Sequence, residues 1–319
     1  MRKIIVWIAM LLPAQDCYCW GFYAHQKINY FAVFLLPPDM LVLYKPNIDF
    51  LEVHATDPDK RRYAVKEEAP RHYLDIDHYG VNAWDSLPHK WEDAVAKYSE
   101  DSLNAHGIVP WWLQVMMNRL TKAFREKDRT RILRYSAEIG HYIADAHVPL
   151  HASSNHNGQL TGQKGIHGFW ESRIPELLAM RDWDFFIGHA QYIPNTSRFF
   201  WDRIKESALA SDTVLKYEKA LTARFPADQK YAYEDRNGMT IRQYSTAFSV
   251  KYDKLLNGMI ERRMRQSILS VASCWYTAWV NAGQPDLKEL VDKKFSAEEL
   301  AEMEAMEIMW KSGPQGEHN

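Results

Sequence analysis

Apolar positions recur at helical spacing along most of the chain. In 22–36, Ile28, Phe31, Ala32 and Leu35 lie three or four residues apart and line one helix face. The same period predicts helices near 111–126, 130–147, 167–180, 196–208, 212–224 and 240–282. Pro149 follows the helix near 130–147, where a helix should stop. Strict alternation of apolar and polar residues, the mark of a half-buried strand, is nearly absent. The pattern therefore predicts an all-α fold, a single multi-helix domain with long loops. Two loops stand out, roughly 52–90 and 151–166. The second (HASSNHNGQLTGQKGI) is polar and contains glycine, and long ordered loops in compact domains are usually functional. Residues 285–311 predict a charged amphipathic helix, either packed on the domain or offered to a partner.

The first segment breaks the pattern. Arg2 and Lys3 precede an apolar run from Ile4 to Leu12, too short for the roughly 20 residues that span a bilayer. Cys17-Tyr18-Cys19 puts small residues three places and one place before a cut in front of Trp20. Residues 1–19 are thus expected to be a cleaved secretory signal, with an exported product, periplasmic or secreted. The expected organisation is a signal at 1–19, a domain at 20–284 and a charged helical extension at 285–319. Of three cysteines only Cys274 would survive cleavage, so no internal disulfide can form. Such an exported protein relies on its core or on metals.

Composition sets the scale. With 319 residues, 46% hydrophobic and 25% charged, the chain can bury a sizeable core. Those values exclude a collagen-like, disulfide-scaffold or wholly disordered chain. A formal net charge of −2 gives no bulk attraction to nucleic acid or an anionic membrane. Locally, 118–134 carries seven Lys/Arg against Glu126 and Asp128. That stretch is either a phosphate-steering patch or a solvated corner between helices.

The candidate chemistry lies in imidazole–carboxylate pairs. His141 and Asp145 are four apart in a predicted helix, so both point to one face. His167 and Glu171 repeat the spacing, with His151 between the pairs. Zinc takes imidazole nitrogen and carboxylate oxygen in a roughly tetrahedral shell, and an i, i+4 pair presents two such donors to one ion. One pair alone reads as well as a surface salt bridge. Two pairs and a third His within 141–171 point towards a metal site. Upstream, Asp57 before Pro58, His72 and His25 each have a plain structural reading as turn, packed-loop and helix-face residues.

Their order carries a resemblance. Trp20, His25, Asp57, His72, His141, Asp145, His151, His167 and Glu171 follow the pattern of an amino-terminal Trp, His, Asp, His, a helical His-x3-Asp, a His six residues on, and a final His-x3-acid. Over about residues 20–175 the sequence resembles the superfamily of zinc-dependent phospholipase C and single-strand-specific zinc nucleases. Val148 stands where Gln is frequent. The resemblance implies the all-α phospholipase C/nuclease fold, with ligands carried on long loops, and three zinc ions. One would be held by Asp57, His72, His141 and Asp145, and a second by His151, His167 and Glu171. The third would be held by the Trp20 amino and carbonyl groups, His25 and Asp145, with Asp145 bridging. A free α-amino group with an ordinary pKa near ~7.7–8.0 loses little on becoming a neutral ligand. Asp57 is the expected catalytic residue, orienting or deprotonating the attacking water. His54, Asp75, Asp77, His78, His147 and His156 neighbour the ligands and are candidates to orient them.

The implied activity is phosphodiester hydrolysis by metal-activated water, phospholipase C-like on phospholipid head groups. A single-strand-specific nuclease or nucleotidase releasing 5′-phosphates is the alternative. Tyr73 and Asp75 are candidate substrate contacts in either, as base-stacking aromatic and base-contacting carboxylate or as their phospholipase counterparts. The Trp20-to-His25 spacing resembles the nucleases, Glu171 the phospholipases. Phe22, Tyr23, Trp111, Trp112, Phe169 and Trp170 line a substrate pocket or belong to the core. A zinc-binding helical module without turnover is the reading from another class. No stable macromolecular partner is expected, and peripheral membrane contact is compatible with a lipid substrate.

Overall fold

The computed structural model describes residues 21–62, 64–236 and 238–312. Among them the fold is all-α, with one two-stranded antiparallel hairpin. The helix Arg129–Ala146 runs through its centre. Asp128 caps its start, the side chain accepting from Arg131 N at 3.0 Å. From Ile139 to Ala146 every residue is buried. Helices Phe22–Val33, Val109–Arg125 and Met259–Asn281 enclose it. A helix buried all round is normally apolar all round. This one carries His141 and Asp145 fully buried, which demands partners of matching charge or a metal.

The approach of helix Phe22–Val33 is set at one point. An added Cβ at Gly140 would lie 2.0 Å from Asn29 Oδ1, so only glycine admits Asn29 there. The Asn29 amide donates to Leu51 O (3.1 Å) and Ala137 O (3.0 Å). His25, one turn before Asn29, is thereby stacked on His141 with ring centroids 3.7 Å apart.

Several elements differ from expectation. Segments 196–208 and 212–224 form one helix, Thr196–Thr222, capped by Asn195. The stretch from 240 opens on a strand: Tyr231–Arg236 pairs with Met239–Tyr244 in register Tyr231↔Tyr244 to Arg236↔Met239. Gly238, at φ +80 between the strands, is the turn signal that the helical period hid. Helices Thr246–Leu255 and Met259–Asn281 then break at Asn257 and Gly258, both at positive φ. The 52–90 region folds into short helices, among them Asp57–Arg61 and Ala69–His72. Among the described residues no helix is long and apolar enough to cross a membrane.

Towards the carboxyl end, helical structure resumes fully only at Ala297–Ser312. That helix docks on the domain through Lys60–Glu307 (2.8 Å), Arg134–Glu302 (3.1 Å) and a Phe22–Trp310 ring contact at 5.5 Å. Lys127 meets Glu289 at 3.1 Å, and Arg131 pairs with Glu126 and Asp128. Four of the seven cations in 118–134 thus have acidic partners, two of them outside the stretch. Trp111, Phe169 and Trp170 are core residues, and so is Cys274, whose thiol burial pushes well above its ordinary value.

One buried acid gives a stability prediction. Asp253 Oδ1 is buried without a hydrogen-bond partner. Burial, then Glu261 and Asp182, push the carboxyl up to about 6 from 3.8. A folded-state value above the unfolded one favours the folded state at low pH, and that contribution is lost as pH rises through 6. Asp253→Asn should therefore stabilise the protein at pH 7.5 by about 1 kcal/mol, after allowing for partial exposure, and raise Tm by about 2–4 °C. The gain should vanish near pH 4, as read by thermal melts at both pH values.

Candidate metal centre

Four chain segments bring donor atoms to the buried end of helix Arg129–Ala146. The helix Phe22–Val33 supplies His25, and the 57–72 region supplies Asp59 and His72. His141 and Asp145 come from the central helix. His151 follows its end, in the turn Pro149–Ala152. His167 and Glu171 come from the segment after the polar loop, where the backbone widens into a π-type turn, Phe169–Arg173, carrying Glu171. The loop itself is held by its own amides. Asn155 accepts from Leu160 N, Asn157 accepts from Gly165 N, and Gln163 donates to Leu215 O and Glu218. Its polar sequence thus fixes the positions of His151 and His167, whose rings meet edge-on at 4.8 Å.

Among the described residues three groups of donor atoms result, each with all its members within 4.8 Å of one another. In Asp59, His72 and His141, His72 Nδ1 lies 3.0 Å from His141 Nε2 and 3.7 Å from Asp59 Oδ1. In His25, His141 and Asp145, His25 Nε2 lies 3.3 Å from Asp145 Oδ1, and His141 Nε2 lies 3.3 Å from Asp145 Oδ2. In His151, His167 and Glu171, the two Nε2 atoms lie 3.5 and 3.0 Å from Glu171 Oε2. Asp145 joins all three: its Oδ2 is 2.9 Å from His72 Nδ1, and its Oδ1 is 3.9 Å from His151 Nε2.

Ring orientation suits metal binding. His141 Nδ1 donates to Ala55 O (2.8 Å) and His151 Nδ1 donates to His72 O (2.7 Å). Each Nε2 lone pair is thereby turned into the cluster. His25 Nε2, His151 Nε2, His167 Nε2, Asp145 Oδ1 and both carboxylate oxygens of Asp59 and Glu171 are buried without a hydrogen-bond partner. Buried polar atoms are otherwise paired nearly everywhere in folded proteins. So many unsatisfied polar atoms converging at 3–4 Å fit metal ions in their chemistry, since imidazole nitrogen and carboxylate oxygen are the set that zinc takes.

The electrostatics show the strain of this packing. Burial, then the facing His141, hold His25 down at about 4. Burial lowers His167 to about 4 as well. His141 is pushed the other way, to about 9, because Asp145 and Asp59 outweigh its burial. Burial would raise Asp145, but His141 and His151 hold it well below the usual carboxylate range. Burial lifts Glu171 to about 8 despite His151. Adjacent groups pushed in opposite directions mark a functional-site candidate.

Eight of the nine sequence-predicted metal residues fall within the described part, and seven of them enter these groups. Trp20 lies outside the described residues. Asp57 stays apart: its Oδ2 is 2.6 Å from His54 Nδ1, and Lys60 lies 3.5 Å from its Oδ1. Asp59 stands in the group with His72 and His141 instead. The two acids share the short helix Asp57–Arg61, where a step of two residues turns a side chain to the far face. Sequence reading named Asp57, whereas Asp59 is the acid whose oxygen lies within the donor group. It also passed over Arg62, whose NH1 lies 3.7 Å from Asp59 Oδ1, and the buried Glu68.

The remaining candidates surround the groups. Tyr73 is half-buried, its hydroxyl 3.4 Å from Ala105 O. Gly107, at φ +90, packs against the Tyr73 carbonyl, where any Cβ would collide. Burial and Asp77 push Asp75 up to about 7. Asp77 binds Ser154 and Ser153, tying the two long loops together. His78 stacks on His106. His147 donates from Nδ1 to Ile143 O and receives Ser270 Oγ at Nε2, so its ring belongs to the helix packing. His156 lies beside His167, ring centroids 6.1 Å apart.

Fold and site together define an all-α protein with several buried His/Asp/Glu groups that can hold metal ions. No family model matches the sequence, and no curated protein matches it. Among solved structures, the fold is similar to that of alpha-toxin from an avian strain of Clostridium perfringens, with a TM-score of 0.50 and 13% identity. The match covers 86% of this chain and 67% of that one. At this identity the likeness is one of fold.

Proposed function

We propose that this chain is a zinc-dependent phosphoric ester hydrolase of the phospholipase C type, exported after cleavage before Trp20. The observation that carries the reading is the convergence of unsatisfied buried donors around Asp145. The fold likeness to alpha-toxin and the ordered ligand pattern support it. Asp59, His72, His141 and Asp145 would hold one zinc, His151, His167 and Glu171 a second, and His25 and Asp145 with the Trp20 terminus a third. Bound zinc supplies Lewis acidity at phosphoryl oxygens and lowers the pKa of water towards ~7.

The side chains account for the rest. Asp59, with two oxygens free of hydrogen bonds, orients the attacking water and takes its proton. Water then adds to phosphorus as the bond to the alcohol breaks, and the departing oxygen is protonated from solvent. Arg62 beside Asp59 adds fixed positive charge for the phosphoryl oxygens. A phospholipid is favoured as substrate because four of the seven cations in 118–134 are paired with acids, which weakens that stretch as a track for a polyanion. Exposed Val81 and Leu160, on the two loops joined by Asp77, also suit a lipid surface.

Side-by-side turnover of phosphatidylcholine, single-stranded RNA and a generic phosphodiester tests this. Release of phosphocholine is expected as the fastest reaction. Faster release of 5′-phosphates from RNA would favour the nuclease reading. Zinc binding with no turnover of any of the three would leave a non-catalytic module. Adding one residue before Trp20 should lower zinc content by up to one ion per chain; unchanged content would remove the amino terminus from the ligand set.

A further inference from the structure

Among the ligand imidazoles, His72 is turned the opposite way. His141 and His151 direct Nε2 into the cluster and hold Nδ1 against backbone carbonyls. His72 directs Nδ1 inward, to Asp145, His141 and Asp59, and leaves Nε2 facing outward. The atom that Nε2 faces is Glu68 Oε1, at 3.6 Å. Both side chains are fully buried, and His72 Nε2 has no hydrogen-bond partner, Glu68 Oε1 standing just beyond hydrogen-bond distance.

Glu68 is itself held from three sides. Its Oε2 accepts from Arg71 NH1 (2.7 Å) and Arg61 Nε (3.2 Å), and its Oε1 accepts from the Tyr142 hydroxyl. Arg61 is fixed in turn by Glu138 at 2.7 Å, and Arg71 lies over the Trp112 ring at 3.9 Å. Tyr142 neighbours the ligand His141 on the central helix. The carboxylate is therefore rigid, and its place is set by the element that carries the metal donors.

We propose that Glu68 is the positioning residue of His72. Closing the 3.6 Å gap, as metal on Nδ1 settles the ring, lets it accept a hydrogen bond from Nε2–H, which fixes the tautomer that offers Nδ1 and raises the basicity of that ligand. The arrangement is a carboxylate–imidazole–metal relay, with Arg61, Arg71 and Tyr142 holding the carboxylate still. A metal-ligating imidazole is commonly held this way, and loss of the outer partner weakens metal binding about 10–100-fold. The inference rests on the metal reading of the site given above.

The test is competitive zinc titration of the full chain against a chelator, with the absorption spectrum of the cobalt-substituted protein as a second readout. Glu68→Gln should weaken one ion about 10–100-fold, leave the others unchanged, and shift the cobalt bands. Arg71→Gln, which keeps the carboxylate and loosens it, should weaken the same ion by less, and it serves alone if Glu68→Gln fails to fold. Wild-type zinc affinities and cobalt spectrum in a folded Glu68→Gln, or in Arg71→Gln where that variant stands alone, would overturn the proposal while leaving the metal reading intact. A wild-type chain that takes up no zinc would overturn both. Turnover plays no part in the readout, so loss of the phospholipase reading alone would not affect it.

Discussion

Asp145→Asn is expected to lower hydrolysis about 10³-fold or more, the scale of losing a key electrostatic group from a preorganised site, and to reduce zinc content by at least one ion per chain. Asp145 is fully buried and is the member that connects the three donor groups. Its Oδ1 faces His25 and His151, and its Oδ2 faces His72 and His141. Asparagine preserves the shape but removes the charge, and it offers one oxygen where two are used. The two ions proposed to share this carboxylate would then be left with neutral imidazoles, Asp59 and the Trp20 terminus. Elemental analysis of the purified variant, with kcat on phosphatidylcholine and circular dichroism to confirm the fold, reads the outcome. A folded variant with unchanged zinc and rate would remove Asp145 as the shared ligand.

The second large effect separates two acids in one short helix. Asp59→Asn should remove the ion of the His72–His141 group and lower kcat about 10²–10³-fold. Asp57→Asn should leave zinc content unchanged and alter stability by about 1 kcal/mol or less, the scale of a partly exposed ion pair. The contrast follows from geometry. Both Asp59 oxygens are buried without a hydrogen bond, whereas Asp57 is engaged by His54 and Lys60. Zinc counts and rates for the two variants, measured together, decide it. The reverse ranking would return the ligand role to Asp57.

Much of this was legible in the chain because helical spacing and ligand spacing coincide. His141 with Asp145, and His167 with Glu171, need only the i, i+4 rule to share a face, and both pairs lie together in space. The central helix was legible from its period. Asp59 was not, since choosing between two acids on a five-residue helix requires its rotation, and tertiary contacts of the 57–72 region set that. Glu68 was not, because the second acid of Glu67-Glu68 before Ala69-Pro70 carries no periodic signal; only the fold brings Arg61, Tyr142 and His72 around it. The hairpin at 231–244 was hidden for a different reason. Its turn glycine, Gly238, is a local signal, and it lay at the edge of a long helical period that continues beyond it.

On this reading, imidazoles and carboxylates from distant segments form one polynuclear metal centre. Zinc per chain in the purified, processed protein, measured by elemental analysis before and after exhaustive chelation, tests it most directly. Two to three ions per chain, lost on chelation together with activity and restored by zinc, is the predicted result. One ion or none in a correctly folded chain would contradict it.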